Sequence, residues 1–166
     1  MTYLSPFGDM DTEHEWPDAL CLSRANCVDA SEETIGEFYR GTIALIDAGI
    51  PQPAFFLARQ LAELSLKALL EPEQARGHDL DKLLRLLEER GDDLFADGRH
   101  RELVVDFIRD LARRDPGGDE GRYPTSTQGV PSLAAVCCAD PVLFREYVHC
   151  LFAYTQGRMS PAGLTV

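Results

Sequence analysis

Residues 52–70 constrain this chain more than any other stretch. Phe55, Ala58, Leu61, Ala62, Leu64, Ser65, Ala68 and Leu69 recur at helical spacing and cover most of one helix's circumference. A helix that is apolar on so many sides must be covered from several directions, so this segment predicts a central helix. Other segments supply the neighbours. Ser31 is a capping residue, and Glu32 and Glu33 suit the positive start of a helix dipole. Ile35, Phe38, Tyr39, Thr42, Ile43 and Ile46 then continue at helical spacing until Gly49 and Pro51 stop the helix. Asp79 is placed to cap a third helix, to about Arg90, with Leu80, Leu83, Leu84 and Leu87 as its buried stripe. Leu103, Val104, Phe107, Ile108 and Leu111 give an inward face to a fourth helix over residues 99–114, whose charged residues form a solvated face. Asp140 opens a last helix, with Pro141 at its first position, where the missing N–H costs nothing. Val142, Leu143, Tyr147, Val148, Leu151 and Phe152 give that helix two apolar faces, and Gly157 with Pro161 is expected to end it. No segment reads as a strand. The predicted fold is all-α: an antiparallel bundle of about five helices, with one long loop, residues 115–132, before the last.

Three stretches follow along the chain: an acidic N-terminal arm over residues 1–30, the bundle over 31–157, and a short tail over 158–166. Trp16 and Leu20 are expected to anchor the arm. No window approaches 18 uninterrupted apolar residues, so no membrane span is expected. Met1-Thr2-Tyr3-Leu4-Ser5-Pro6 places no basic residue before an apolar run, which argues against a secretory signal and for a cytoplasmic protein. The five cysteines agree. Their number is odd, Cys21 and Cys27 are not a C-x-x-C pair, and Cys137 and Cys138 are adjacent, so small buried or half-buried thiols are expected and a metal site with His14 is not.

Charge narrows the partners. The chain has 28 acids against 16 bases, a formal charge of −12. That excludes a basic nucleic-acid footprint over the whole chain. The distribution is uneven. Residues 122–166 carry only Asp140 and Glu146 against Arg122, Arg145 and Arg158, so a polyanion such as RNA or a nucleotide would meet least repulsion there.

The run Ala58-Arg59-Gln60-Leu61-Ala62-Glu63-Leu64-Ser65-Leu66-Lys67-Ala68-Leu69-Leu70, followed by Gly77-His78-Asp79-Leu80, resembles the HEPN superfamily, the higher eukaryotes and prokaryotes nucleotide-binding domains. Members often show an E-x-x-L-K-A-L-like helix and then a G-H-D-L-like turn into the next helix. Glu63, Lys67, Ala68 and Leu69 match the first part and Gly77 to Leu80 the second. Arg122-Tyr123-Pro124 is similar to a motif found in some members before their last helix. The resemblance covers roughly residues 31–157. It implies a helical bundle, commonly a homodimer, in toxin–antitoxin, antiviral-defence and RNA-processing proteins. Many members are metal-independent endoribonucleases with an arginine, four to six residues, then a histidine on a late helix. Here the nearest pair, Arg145 and His149, has only three residues between.

Arg145 and His149 stand four apart, which stacks them on one face of a helix. A guanidinium can hold a phosphate bidentately, and an imidazole can move a proton near neutrality, so the pair is the catalytic candidate. The alternative is a surface arginine beside a histidine that hydrogen-bonds into the bundle. Arg122 and Tyr123 place a cation and a stacking ring near the last helix, which suits a nucleotide; Tyr123 can equally anchor the long loop. His78, at a helix entry, is either a nucleotide contact or a residue that fixes the turn. Lys67 stands four residues after Glu63, the favourable order for a structural ion pair. His100 falls at an expected helix start amid acids. No phosphate-loop, dinucleotide-binding, zinc-protease or nucleophile-elbow motif occurs, so no cofactor or metal is expected.

Three readings stand. The off-register motif and the acidic surface favour a HEPN-like module, dimeric and without catalysis, that acts through a partner protein or nucleotide in an RNA-linked bacterial stress or defence system. The alternative is a metal-independent endoribonuclease using Arg145 and His149. The further alternative is an unrelated helical interaction domain whose acidic arm docks on a basic partner.

Overall fold

A computed structural model describes residues 30–90, 98–118, 120–125, 129–134, 136 and 138–159. The arm expected over residues 1–30, with Trp16 and Leu20, lies outside the described residues except for Ala30. So does the tail from residue 160 onward.

The all-α expectation holds. Among the described residues there are five helices and no strand: α1 (Ala30–Asp47), α2 (Pro51–Leu69), α3 (Leu80–Glu89), α4 (Gly98–Arg114) and α5 (Pro141–Met159). Their ends follow local chemistry. After α1 the Gly49 N–H bonds the Ile46 carbonyl at 3.0 Å and the Ile50 N–H bonds the Leu45 carbonyl at 2.9 Å, with Gly49 at φ +67°. That is the Schellman arrangement, which needs a left-handed residue and finds glycine. The Asp79 side chain accepts from the Lys82 N–H at 3.0 Å and caps α3. Asp140 caps α5, accepting from Val142 at 2.8 Å and Leu143 at 3.1 Å. One boundary differs from expectation: α5 passes through Gly157 to Met159. A single glycine costs a helix only about 1 kcal/mol relative to alanine, so it weakens the last turn without ending it.

α2 is central, packing on α3, α4 and α5. Ala54, Ala58, Leu61 and Ala62 are fully buried, and the small alanines let neighbours approach. α1 also lies close to α2: a Cβ on Gly41 would stand 3.2 Å from a Leu57 methyl. Leu80, Leu83, Leu84 and Leu87 bury the stripe of α3 as the spacing predicts. Each such leucine contributes roughly 1.5–3 kcal/mol relative to exposure. Among the described residues no helix is long and apolar enough to cross a membrane.

Candidate functional site

Arg145 and His149 do share one face of α5, and that face meets α1. Arg145 forms an ion pair with Asp47 at the end of α1. The Tyr39 hydroxyl and His149 Nδ1 are hydrogen-bonded at 2.6 Å. The Tyr39 ring in turn stacks on Phe152, nearly parallel, with centroids 4.1 Å apart. Phe152 orients Tyr39, and Tyr39 orients the imidazole. His149 itself stays exposed, and both members of the Arg145–Asp47 pair are about half exposed. The guanidinium therefore already faces an internal carboxylate. A phosphate at Arg145 would compete with Asp47, and in water such an exposed pair is worth only about 0–1 kcal/mol. The next residue, Cys150, is no ready nucleophile: burial, helped by the Glu146 charge, pushes its thiol above the usual value of 9.0.

His78 belongs to a second, buried cluster. Arg59 is completely buried on α2. Its Nη1 donates to Glu63 Oε2 at 2.7 Å, and its Nη2 donates to the His78 carbonyl. Its Nε donates to the Asp115 carbonyl at 3.5 Å, with the Asp115 carboxylate at 3.8 Å. Glu63 Oε1 accepts from Lys67 Nζ at 2.7 Å, the expected ion pair, and from His78 Nδ1 at 2.8 Å. The His78 side chain is largely exposed, so its carbonyl and Nδ1 tie the turn down while the ring edge faces water. Burial pushes the Glu63 carboxyl up, but hydrogen bonds from Lys67, His78 and Arg59 outweigh that and hold it below the usual 4.5.

The cluster continues into the loop after α4. Asp115 Oδ1 accepts from the Glu120 N–H at 3.2 Å, and Glu120 Oε2 accepts from the Leu133 N–H at 2.7 Å. Gly118 passes so close to Arg59 that a Cβ would stand 3.3 Å from Nη2, and its φ of +78° favours glycine anyway. Leu133 holds a left-handed φ of 54°, a strain of about 1–2 kcal/mol that the Glu120 bond helps maintain.

Arg122 and Tyr123 lie together over the first turns of α2. The Arg122 guanidinium is 5.5 Å from the Phe56 ring centre and 5.9 Å from that of Tyr123. Gln52 Nε2 donates to the Tyr123 carbonyl at 3.4 Å. A Cβ on Gly121 would come within 2.5 Å of Phe56 Cβ, so the loop lies directly on the helix. The pair anchors the loop, while the Tyr123 ring remains about half exposed.

Comparison with family models, curated proteins and solved structures gives no match. Among the described residues no group of three or more histidines, cysteines or carboxylates is placed to hold a metal ion.

Spacing alone missed Arg59 and Asp115. One signal was available: a fully charged Arg-x-x-x-Glu pair on the most apolar helix of the chain, where a charge must be paired if it is buried. Asp115 carried none, standing first in a loop of glycines and prolines.

Proposed function

We propose that this chain is a HEPN-like helical module of an RNA-linked bacterial stress or defence system, and that it binds a protein partner instead of cutting RNA. The observation that supports this most is the Arg145–Asp47 pair. Cleavage by an arginine–histidine pair needs the cation for phosphate, and here an internal carboxylate faces it. The net charge of −12 adds long-range repulsion of free RNA. The short spacing between Arg145 and His149 agrees.

One observation favours the ribonuclease reading. His149 is exposed, and Tyr39 fixes its Nδ1, the kind of orientation that a general base requires. The two readings separate in one assay. Wild type, His149→Ala and Asp47→Asn are incubated with a mixed pool of structured RNAs in EDTA. No cleavage by wild type is the expected result. Wild-type cleavage that survives chelation and disappears in His149→Ala overturns the proposal. Cleavage gained only by Asp47→Asn would show that the carboxylate competes with phosphate for the guanidinium and that the wild-type chain is held silent at this face.

A further inference from the structure

His78 and His149 are both exposed, and each gives its Nδ1 to a partner inside the protein. The partners differ in kind. His149 meets the Tyr39 hydroxyl at 2.6 Å. A hydroxyl can donate or accept, so this bond does not choose which ring nitrogen carries the proton. His78 meets Glu63 Oε1 at 2.8 Å. An ionised carboxylate can only accept. Burial disfavours the charge on Glu63, but the bonds from Lys67, His78 and Arg59 outweigh it and keep the group ionised near neutrality. In the neutral His78 ring the proton therefore sits on Nδ1, and Nε2 holds the lone pair. The side chain is 72% exposed with Nδ1 turned inward, so the Nε2 edge faces water.

The parts that set this tautomer are themselves fixed. The Glu63 side chain is only 6% exposed, with Arg59 Nη1 on one oxygen and Lys67 Nζ on the other, each at 2.7 Å. The His78 backbone is held as well, through its carbonyl and Arg59 Nη2. A carboxylate behind an imidazole raises the basicity of the far nitrogen, as it does in metal-ligating and catalytic histidines. The surroundings decide what that nitrogen serves. A general base works inside walls that hold its substrate. His78 instead stands on a turn, mostly in water. A metal ion needs further ligands, and among the described residues no group of three is placed to hold one. An exposed nucleophile on a fixed turn suits a reactant that arrives within another protein.

We propose that His78 is a phosphorylation site, with Nε2 as the acceptor atom and Glu63 as the residue that orients it. The donor is a phosphoramidate or acyl phosphate, carried by a second protein. The Nε2 lone pair forms the N–P bond while the bond from phosphorus to the leaving group breaks, and the leaving group keeps that electron pair. Nδ1 keeps its proton, so the ring becomes cationic, and Glu63 stands beside it to balance the charge. Lys67 reaches the same Glu63 oxygen and is 24% exposed, which places a cation on this side of the ring. The nearby acids are Asp79, whose carboxylate is engaged by the Lys82 N–H, and Asp81 in the first turn of α3. The site shares no residue with the Arg145–His149 face, and it stands or falls apart from the question of RNA cleavage.

The test uses the full chain and potassium phosphoramidate at about pH 8, where a free imidazole is neutral. Modified histidines are mapped by mass spectrometry under neutral conditions, which spare N–P bonds. His78 is expected to react roughly ten-fold faster than His149, the advantage of a charged acceptor behind the ring over a neutral one. Glu63→Gln keeps an oxygen in place and removes its charge. In that variant His78 is expected to slow about ten-fold while His149 is unchanged. Circular dichroism checks that the variant is folded, and the wild-type ratio decides without it.

Equal rates at His78 and His149 in wild type overturn the proposal, because exposure alone would then set reactivity. An unchanged His78 rate in folded Glu63→Gln overturns the orienting role of the carboxylate. Rapid acylation of His78 by diethyl pyrocarbonate, with no phosphorylation by phosphoramidate, overturns the phosphoryl acceptor and leaves a nucleophile of another kind.

Discussion

Arg59 and Arg145 both face acids, but the structure uses them differently. Arg59 is fully buried and reaches three segments: its own helix through Glu63, the turn before α3 through the His78 carbonyl, and the loop after α4 through Asp115. Arg145 is half exposed and meets one carboxylate on one neighbouring helix. Arginine suits the first role because its rigid fork offers donors in several directions at once. The second role uses a single charge in a setting where water screens it. What an arginine does here therefore depends on how many segments converge on it, and the motif that contains it does not settle that.

The largest expected effect breaks the buried member. Arg59→Ala leaves Glu63 and Asp115 without their shared cation inside the protein. Removing one partner of a buried pair costs about 3–5 kcal/mol. For a chain of this size that lowers Tm by roughly 6–20 °C. Thermal unfolding followed by circular dichroism measures it. A loss no greater than that of an exposed arginine would mean that the cluster is not sealed from water.

The two regions also differed in how far they could be read in advance. The helices were legible because burial imposes a period: Leu80, Leu83, Leu84 and Leu87 have one spacing and one face. Caps at Asp79 and Asp140 were legible because their chemistry is local. The Lys67–Glu63 pair was legible for the same reason. The Arg59 cluster was not, because two of its partners lie 19 and 56 residues away and both accept through a backbone carbonyl. Period and propensity carry no information about such contacts. The placement of Arg145 and His149 on one face followed from their spacing, but Tyr39, 110 residues upstream of His149, did not. The continuation of α5 through Gly157 shows the same limit at smaller scale, where local propensity marks a weak turn without deciding it.

A pH series sharpens the contrast from the acid side. The Glu63 carboxyl sits below its usual 4.5 in the folded protein. Its contribution is therefore complete above that pH and is lost as pH falls through the lower folded value. Wild-type stability should decline as the pH drops below about 4.5, more steeply than that of Glu63→Gln. The gap between the two should narrow with acidification. Parallel curves for the two proteins would show that the hydrogen bonds from Lys67, His78 and Arg59 do not favour the charged carboxylate as the geometry indicates.

The smallest effect belongs to Arg145. Arg145→Ala, Asp47→Ala and the double variant form a cycle that isolates the pair from everything else each residue does. Exposed pairs measured this way typically couple by about 0.2–1 kcal/mol, which corresponds to at most a few degrees in Tm. Added salt should reduce that coupling further, because both charges are open to screening. This small number has a functional consequence. A pair so weak does not hold the bundle together, so Asp47 can be removed to expose the guanidinium without unfolding the chain. That is what makes Asp47→Asn a fair test of cleavage. A coupling of several kcal/mol would place Arg145 in the same class as Arg59, as part of the scaffold, and would leave His149 alone on the face of α5 with no cation to work beside.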